Sequence, residues 1–143
     1  MASKKERAKL STPIIFIQKA NIFGEEFLVC SGADKKTILS FCKKNKINKQ
    51  ATEWIETDNE IFSLFESNSA VYCWHNDIRV GLLLLGAYKD TWEFWETLIH
   101  EICHIVDRVS EHKRMEKEME AKAYLFEYLF RNIRRKLQGI DKR

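Results

Sequence analysis

Apolar residues recur along this chain with two periods, one typical of strands and one typical of helices. Short runs of β-branched, aromatic or aliphatic residues predict strands at five places: 13–18, 26–30, 50–57, 70–75 and 78–85. Asn21 and Gly24 can form the turn of a hairpin between the first two runs, and Asn76 and Asp77 can form the turn between the last two. The pattern at 59–65 fits either a helical turn or a loop.

Three longer segments place apolar residues three or four positions apart and are therefore predicted to be helices: 34–46, 91–110 and 113–137. Asp34 can cap the first helix, Asp90 or Thr91 can cap the second, and the third should stop near Gly139. This order predicts an α+β fold. A hairpin and a helix come first, a small antiparallel or mixed sheet follows, and two long helices end the chain.

Composition limits the classes of protein that the chain can belong to. With 143 residues and 45% hydrophobic content, it is expected to form one domain over 12–138, between basic tails at 1–11 and 139–143. The net charge of +3 neither requires nor excludes a nucleic-acid partner. The four cysteines are spaced too irregularly for a metal knuckle, which predicts reduced thiols in a cytoplasm. The longest apolar run, 80–87, is too short to cross a membrane.

The centre of the second predicted helix reads His100-Glu101-Ile102-Cys103-His104, which is the HExxH pattern. Histidines four residues apart lie about 40° apart around a helix, so both imidazoles can point at one ion. Glu101 is too close in sequence to His100 to share its direction and is better placed to hold a water. The pattern therefore indicates a zinc hydrolase. The alternative is a pair of surface histidines on a solvated helix face.

A catalytic zinc ion usually has three protein ligands, so a third is expected from the next helix. Three glutamates share the polar stripe of that helix, and periodicity alone does not choose among them: Glu116, Glu120 and Glu127. The small residues Ala121 and Ala123 would let two helices approach closely, which favours Glu120.

Two further polar residues are candidates for supporting roles. Asp107 lies one turn beyond His104 and either hydrogen-bonds a ligating imidazole or forms a surface salt bridge. Tyr124 shares the stripe of Glu120 and either stabilises an oxyanion or is a buried structural tyrosine.

The pairing of 100–107 with 120–126 resembles the small HExxH proteins of bacteriophages and prophages, which are regarded as candidate metallopeptidases. It is similar, more distantly, to the minimal gluzincin-like domains of the ImmA/IrrE group, where a helix with a Glu-x-x-Ala pattern follows HExxH. The resemblance covers roughly 82–133. It implies a small zincin-like domain acting on a peptide or protein substrate, and it suggests 78–85 as the edge strand along which the peptide lies. The apolar composition of 78–85 suits a buried strand equally well.

The same resemblance implies one zinc ion bound by His100, His104 and Glu120, with Glu101 as the general base. The expected function is zinc-dependent peptide hydrolysis in the cytoplasm, which would be the host's if a phage encodes the chain. The alternative is a catalytically inactive zincin-like protein that binds protein or nucleic acid. Its basic N-terminal tail and the lysine-rich segment 34–49 would then contact nucleic acid, although a solvated face explains that segment more simply. No membrane partner is expected.

Overall fold

The computed structural model of this chain describes residues 12–20, 25–114 and 118–143. The strands are β1 (Ile14–Lys19), β2 (Glu26–Ser31), β3 (Ala70–His75) and β4 (Val80–Leu85). The helices are α1 (Lys35–Lys44), α2 (Lys49–Thr57), α3 (Asn59–Asn68), α4 (Trp92–His112) and α5 (Met119–Leu137). The predicted α+β class is confirmed. The basic tail at 1–11, the hairpin turn with Asn21 and Gly24, and Glu116 lie outside the described residues.

The four strands form one mixed sheet in the order β1, β2, β4, β3. β1 pairs with β2 antiparallel, which confirms the predicted N-terminal hairpin. β2 pairs with β4 parallel, and β3 pairs with β4 antiparallel. The sheet is therefore mixed, the second of the two arrangements that the sequence allowed.

The run 78–85 is a buried interior strand and not the edge strand. Its strand begins at Val80, and the residues from Gly81 to Leu85 are buried. β4 has a strand on each side, so its apolar residues lie beneath helices on both faces. The edge on this side of the sheet is β3, which has only β4 beside it among the described strands.

Helices cover both faces of the sheet. Leu82 and Leu84 of β4 pack with the core residues Ile38 and Ile55 of α1 and α2. Their neighbours in β4 point to the opposite face, where the core is shared with α4 and α5. The alternation of side chains along β4 thus assigns the first three helices to one face and the last two to the other.

The predicted strand at 50–57 is wrong, because this segment is α2. Asn48 caps the helix, and its side-chain oxygen accepts a hydrogen bond from the Gln50 amide at 2.8 Å. Ala51 and Ile55, four residues apart, are its buried residues, which is a helical and not a strand period. The undecided segment that follows is also helical: α3 begins after Asp58, whose carboxylate accepts from the Glu60 amide.

The first of the two long helices matches its prediction closely, whereas the second ends as predicted but begins later than predicted. α4 ends two residues beyond its predicted limit, with Thr91 as its N-cap. α5 begins at Met119 and not near 113, because Lys113 and Arg114 form a turn in which Arg114 has a positive φ of 56°.

α5 ends before Gly139, whose φ of 76° is a left-handed conformation that glycine adopts readily. After Gly139 the chain turns back, and Asp141 forms an ion pair with Arg135 at 2.9 Å. No helix within the described ranges is long and apolar enough to span a membrane.

Candidate active site

The two histidines of the HExxH pattern meet on the exposed face of α4. Their Nε2 atoms are 3.2 Å apart, and both side chains are exposed. Two nitrogen ligands at 2.0–2.1 Å from a tetrahedral zinc ion are about 3.3 Å apart. His100 and His104 therefore have the spacing of two ligands of one ion.

The helix holds this orientation because its opposite face is buried. Leu98, Ile102 and Ile105 are fully buried in the core beneath α4. Burying these side chains fixes the rotation of the helix about its axis and turns the histidine stripe away from the core.

The histidines line a cavity of about 760 Å³ between α4 and the edge strand β3. His100, Glu101 and His104 contribute from α4, and Tyr72 and Trp74 contribute from β3. The site thus lies beside a strand edge with only one partner among the described strands, and not beside the apolar strand β4.

Glu101 is a nearly buried acid in the wall of this cavity. The residue is 7% exposed, and its side chain makes no hydrogen bond or ion pair with any part of the chain that the structure describes. The negative charge of Glu101 also affects Cys73 in β3. The pKa of the Cys73 thiol is raised to about 11, mainly by burial and to a smaller extent by the negative charges of Asp58, Glu101 and Glu60. The carboxylate oxygens of Glu101 are not among the buried atoms of the described chain that lack a hydrogen-bond partner, so they are open to the cavity, where a water or a ligand can reach them.

The donors in the cavity fit part of a zinc site. Two imidazole nitrogens are typical zinc ligands, and a nearby carboxylate that is not itself a ligand suits a general base. Across the described ranges, however, no group of three or more histidine, cysteine, aspartate or glutamate residues is positioned to hold a metal ion. The residues that the structure brings together supply two of the usual three protein ligands.

Glu120, the predicted third ligand, is exposed in the first turn of α5, and the structure does not bring it beside the histidine pair. The physical reason is that α4 and α5 meet through their apolar faces, including Leu125 and Leu129. α5 then continues over β1, where Lys136 donates to Gln18 at 3.0 Å. The polar stripes of the two helices therefore do not face each other as the sequence suggested.

The two supporting candidates are exposed as well. Asp107 makes no hydrogen bond to either histidine in the described part of the chain, and its side chain is exposed. Tyr124 is 54% exposed, so the interpretation as a buried structural tyrosine is wrong. The structure does not place either residue in the wall of the histidine cavity.

Sequence reasoning missed Arg108, which follows His104 by one turn and lines the same cavity. Arg108 forms an ion pair with the buried carboxylate of Glu25, the residue immediately before β2. Its guanidinium carbon lies 3.6 Å from the centre of the Trp74 ring. The spacing of 100, 104 and 108 could have revealed that Arg108 shares the histidine stripe.

Tyr72 joins this network from β3. Burial raises the pKa of Tyr72 to about 12, although the positive charge of Arg108 and a hydrogen bond with it act in the opposite direction. The phenol therefore stays protonated at neutral pH. Tyr72 and Trp74 both pass close to Gly81 of β4, and a glycine there leaves room for their rings.

Gly81→Ala is expected to lower the free energy of unfolding by about 1 to 3 kcal/mol, as overpacking of a core does. An added Cβ would lie 2.8 Å from the Phe27 Cβ, 3.0 Å from the Tyr72 hydroxyl and 3.1 Å from a Trp74 ring carbon. Urea unfolding followed by circular dichroism measures the change. Gly86→Ala is the matched control, because its Cβ would meet only the Ser69 carbonyl at 3.9 Å. Equal stability of the two variants would contradict the close packing at Gly81.

No protein-family model matches this chain, and no curated protein and no solved structure matches it either.

Proposed function

We propose that this protein is a zinc-dependent peptidase. The observation that carries the proposal is the 3.2 Å separation of the His100 and His104 Nε2 atoms, in a cavity that also holds the nearly buried acid Glu101. Two imidazoles that can hold one ion, beside an acid that is not itself a ligand, supply part of what metal-assisted hydrolysis needs from a protein, and a third ligand is usual.

In this proposal His100 and His104 hold the ion, and Glu101 handles protons. Zinc bound there would polarise a carbonyl oxygen and make water nucleophilic near neutral pH. Glu101 takes the proton from the attacking water and delivers it to the leaving amine. Its position in the cavity wall, free of hydrogen bonds within the described chain, leaves both carboxylate oxygens available for this task.

The substrate peptide is proposed to lie along β3. This strand forms the wall of the cavity opposite α4, and β4 is its sole hydrogen-bonded neighbour among the described strands. An extended peptide can add to such an edge through main-chain hydrogen bonds, which bind any sequence. We also place the protein in a cytoplasm, because its four cysteines are free thiols.

We propose Glu120 as the third zinc ligand, which requires it to approach the histidines when the metal binds. Glu120→Gln is then expected to weaken zinc binding at least about tenfold, since a neutral amide is a poorer zinc ligand than a carboxylate. Glu127→Gln, on the same helix and paired with Arg131, is the matched control. Competition with a fluorescent zinc chelator measures both affinities. A large loss in Glu96→Gln instead would assign the ligand to α4, because Glu96 lines the cavity one turn before His100.

Peptide hydrolysis by zinc-loaded protein tests the function itself. We expect the protein to cleave members of a random peptide mixture, with new termini detected by mass spectrometry. EDTA should abolish cleavage, and added zinc should restore it, because the ion is required for the reaction. Cleavage that survives complete zinc removal would contradict the proposal. Zinc-loaded protein that cleaves no peptide would instead favour a binding protein.

A further inference from the structure

Arg108 is held in an arrangement that fixes both its position and its plane. Its side chain is 18% exposed, whereas the Glu25 carboxylate that pairs with it is 4% exposed. The Trp74 ring lies beneath the guanidinium, and Arg108 also interacts with Tyr72, where its positive charge opposes the rise in pKa that burial causes. Such contacts orient a planar cation far better than a single surface salt bridge does.

The exposed part of Arg108 faces two neighbouring cavities that a ligand could enter. Arg108 lines the histidine cavity, and it also lines an adjoining cleft of about 410 Å³ with Trp74, Glu111 and His112. Its Nε atom is buried and, like one oxygen of Glu25, has no hydrogen-bond partner in the described chain. A buried ion pair with unsatisfied atoms is poor evidence for a purely stabilising role.

We propose that Arg108 anchors a carboxylate group of the bound peptide. This inference rests on the proposed peptidase function. Arginine suits the task because its guanidinium presents several donors in a plane that matches a carboxylate. Glu25 neutralises part of its charge, but Arg79 supplies further positive charge next to the pair. The Arg79 Nη2 atom lies 3.2 Å from His112 Nε2, which is 3.7 Å from Glu25.

The distance along α4 sets where the carboxylate lies in the peptide. Arg108 is four residues beyond His104, a rise of about 6 Å. An extended peptide advances about 3.3 Å per residue. The anchored carboxylate therefore lies about two residues from the peptide bond that is cleaved beside the histidines.

The direction of β3 indicates which carboxylate of the peptide Arg108 binds, an acidic side chain or the C-terminus. β3 runs from Ala70 to Trp74 and so toward Arg108. A peptide added antiparallel, the more stable pairing, would place its N-terminal part beside Arg108. The anchored group is therefore the side chain of an aspartate or glutamate about two residues before the cleaved bond.

Competitive capture of peptide libraries tests this assignment without requiring cleavage. The bait is the immobilised full chain carrying Glu101→Gln, loaded with zinc. Three random hexapeptide libraries are mixed in equal amounts: one with a fixed internal Glu and an amidated end, one with Gln at that position and an amidated end, and one with that Gln and a free C-terminus. We expect the Glu library to be captured about tenfold over the amidated Gln library, as a charge-assisted contact implies.

Variants of the bait distinguish the loss of carboxylate binding from the loss of the folded structure. Arg108→Gln alone leaves Glu25 buried without its partner and can unfold the chain. Adding Glu25→Gln removes both charges, and the preference for Glu should then fall to about one. Arg131→Gln, an exposed arginine of α5, removes one charge elsewhere and should leave the preference unchanged.

Three outcomes would overturn the inference. Equal capture of all three libraries means that no carboxylate is anchored. Preference for Glu that survives in the folded double variant means that another group, such as the zinc ion, binds it. Preference for the free C-terminus over Glu would refute the acidic side chain and the antiparallel direction. Failure of the proposed function is recognised separately, since the wild type would then cleave nothing.

Discussion

Glu101→Gln is expected to lower the rate constant of peptide hydrolysis by about a hundredfold to ten-thousandfold, the usual contribution of a general base. Glutamine keeps the shape of the side chain but does not accept the proton of the attacking water. Zinc binding should remain intact, because Glu101 is not one of the proposed ligands. Steady-state kinetics on a cleaved peptide, together with the zinc content of the variant, measures both effects.

Glu96→Gln is the matched comparison for catalysis. Glu96 lines the same cavity one turn before His100, but it is exposed, whereas Glu101 is buried. If Glu96 is not a metal ligand, its variant should hydrolyse the peptide at nearly the rate of the wild type. A Glu101→Gln protein that binds zinc and cleaves as fast as the wild type would eliminate Glu101 as the base.

Loss of either histidine of the pair is expected to weaken zinc binding by more than about a hundredfold. Removing a group that only supports a ligand costs 10–100-fold in metal affinity, and removing a ligand itself should cost more. His100→Ala and His104→Ala change exposed side chains, so the fold should persist. Competition with a fluorescent chelator measures the affinities, and circular dichroism checks the fold.

The two remaining histidines serve as controls. His75 packs against Trp54, with ring centres 5.3 Å apart, and His112 contacts Arg79 and Glu25. His75→Ala and His112→Ala should leave zinc affinity within a few-fold of the wild type. Full zinc affinity in His100→Ala or His104→Ala would show that the metal, if any, binds elsewhere.

The long helices could be predicted from the sequence because their signals are local. Apolar residues of α4 repeat every three or four positions over 21 residues, and Thr91 supplies a cap. α2 was missed because it has nine residues and contains threonine, tryptophan and isoleucine, which favour strands. The cap at Asn48 and the buried pair Ala51 and Ile55 were the signals that favoured a helix.

The order of the strands could not be predicted in the same way. The parallel pairing of β2 with β4 joins segments separated by three helices, and no local pattern specifies it. It is this pairing that makes β4 an interior strand and leaves β3 at the edge beside the histidines. The sequence leaves 78–85 open to an edge strand or a buried strand, and this pairing makes it the buried one.

In the candidate site, too, the local contacts could be predicted from the sequence and the long-range contacts could not. His100 and His104 could be paired from the sequence because one helix turn brings them together. The ion pair of Glu25 with Arg108 joins residues 83 positions apart, and only the folded chain reveals it. Whether Glu120 lies beside the histidines depends on how the two helices are rotated against each other. Periodicity does not determine that rotation when each helix carries several glutamates.

X-ray absorption at the zinc edge of zinc-loaded protein tests the central claim most directly, because it identifies the atoms around the metal. The account predicts nitrogen and oxygen neighbours at 2.0–2.2 Å, with the multiple-scattering pattern of two imidazole rings. That pattern should diminish in His100→Ala. Sulfur at about 2.3 Å would contradict the account, since it would assign the metal to a cysteine such as the exposed Cys103.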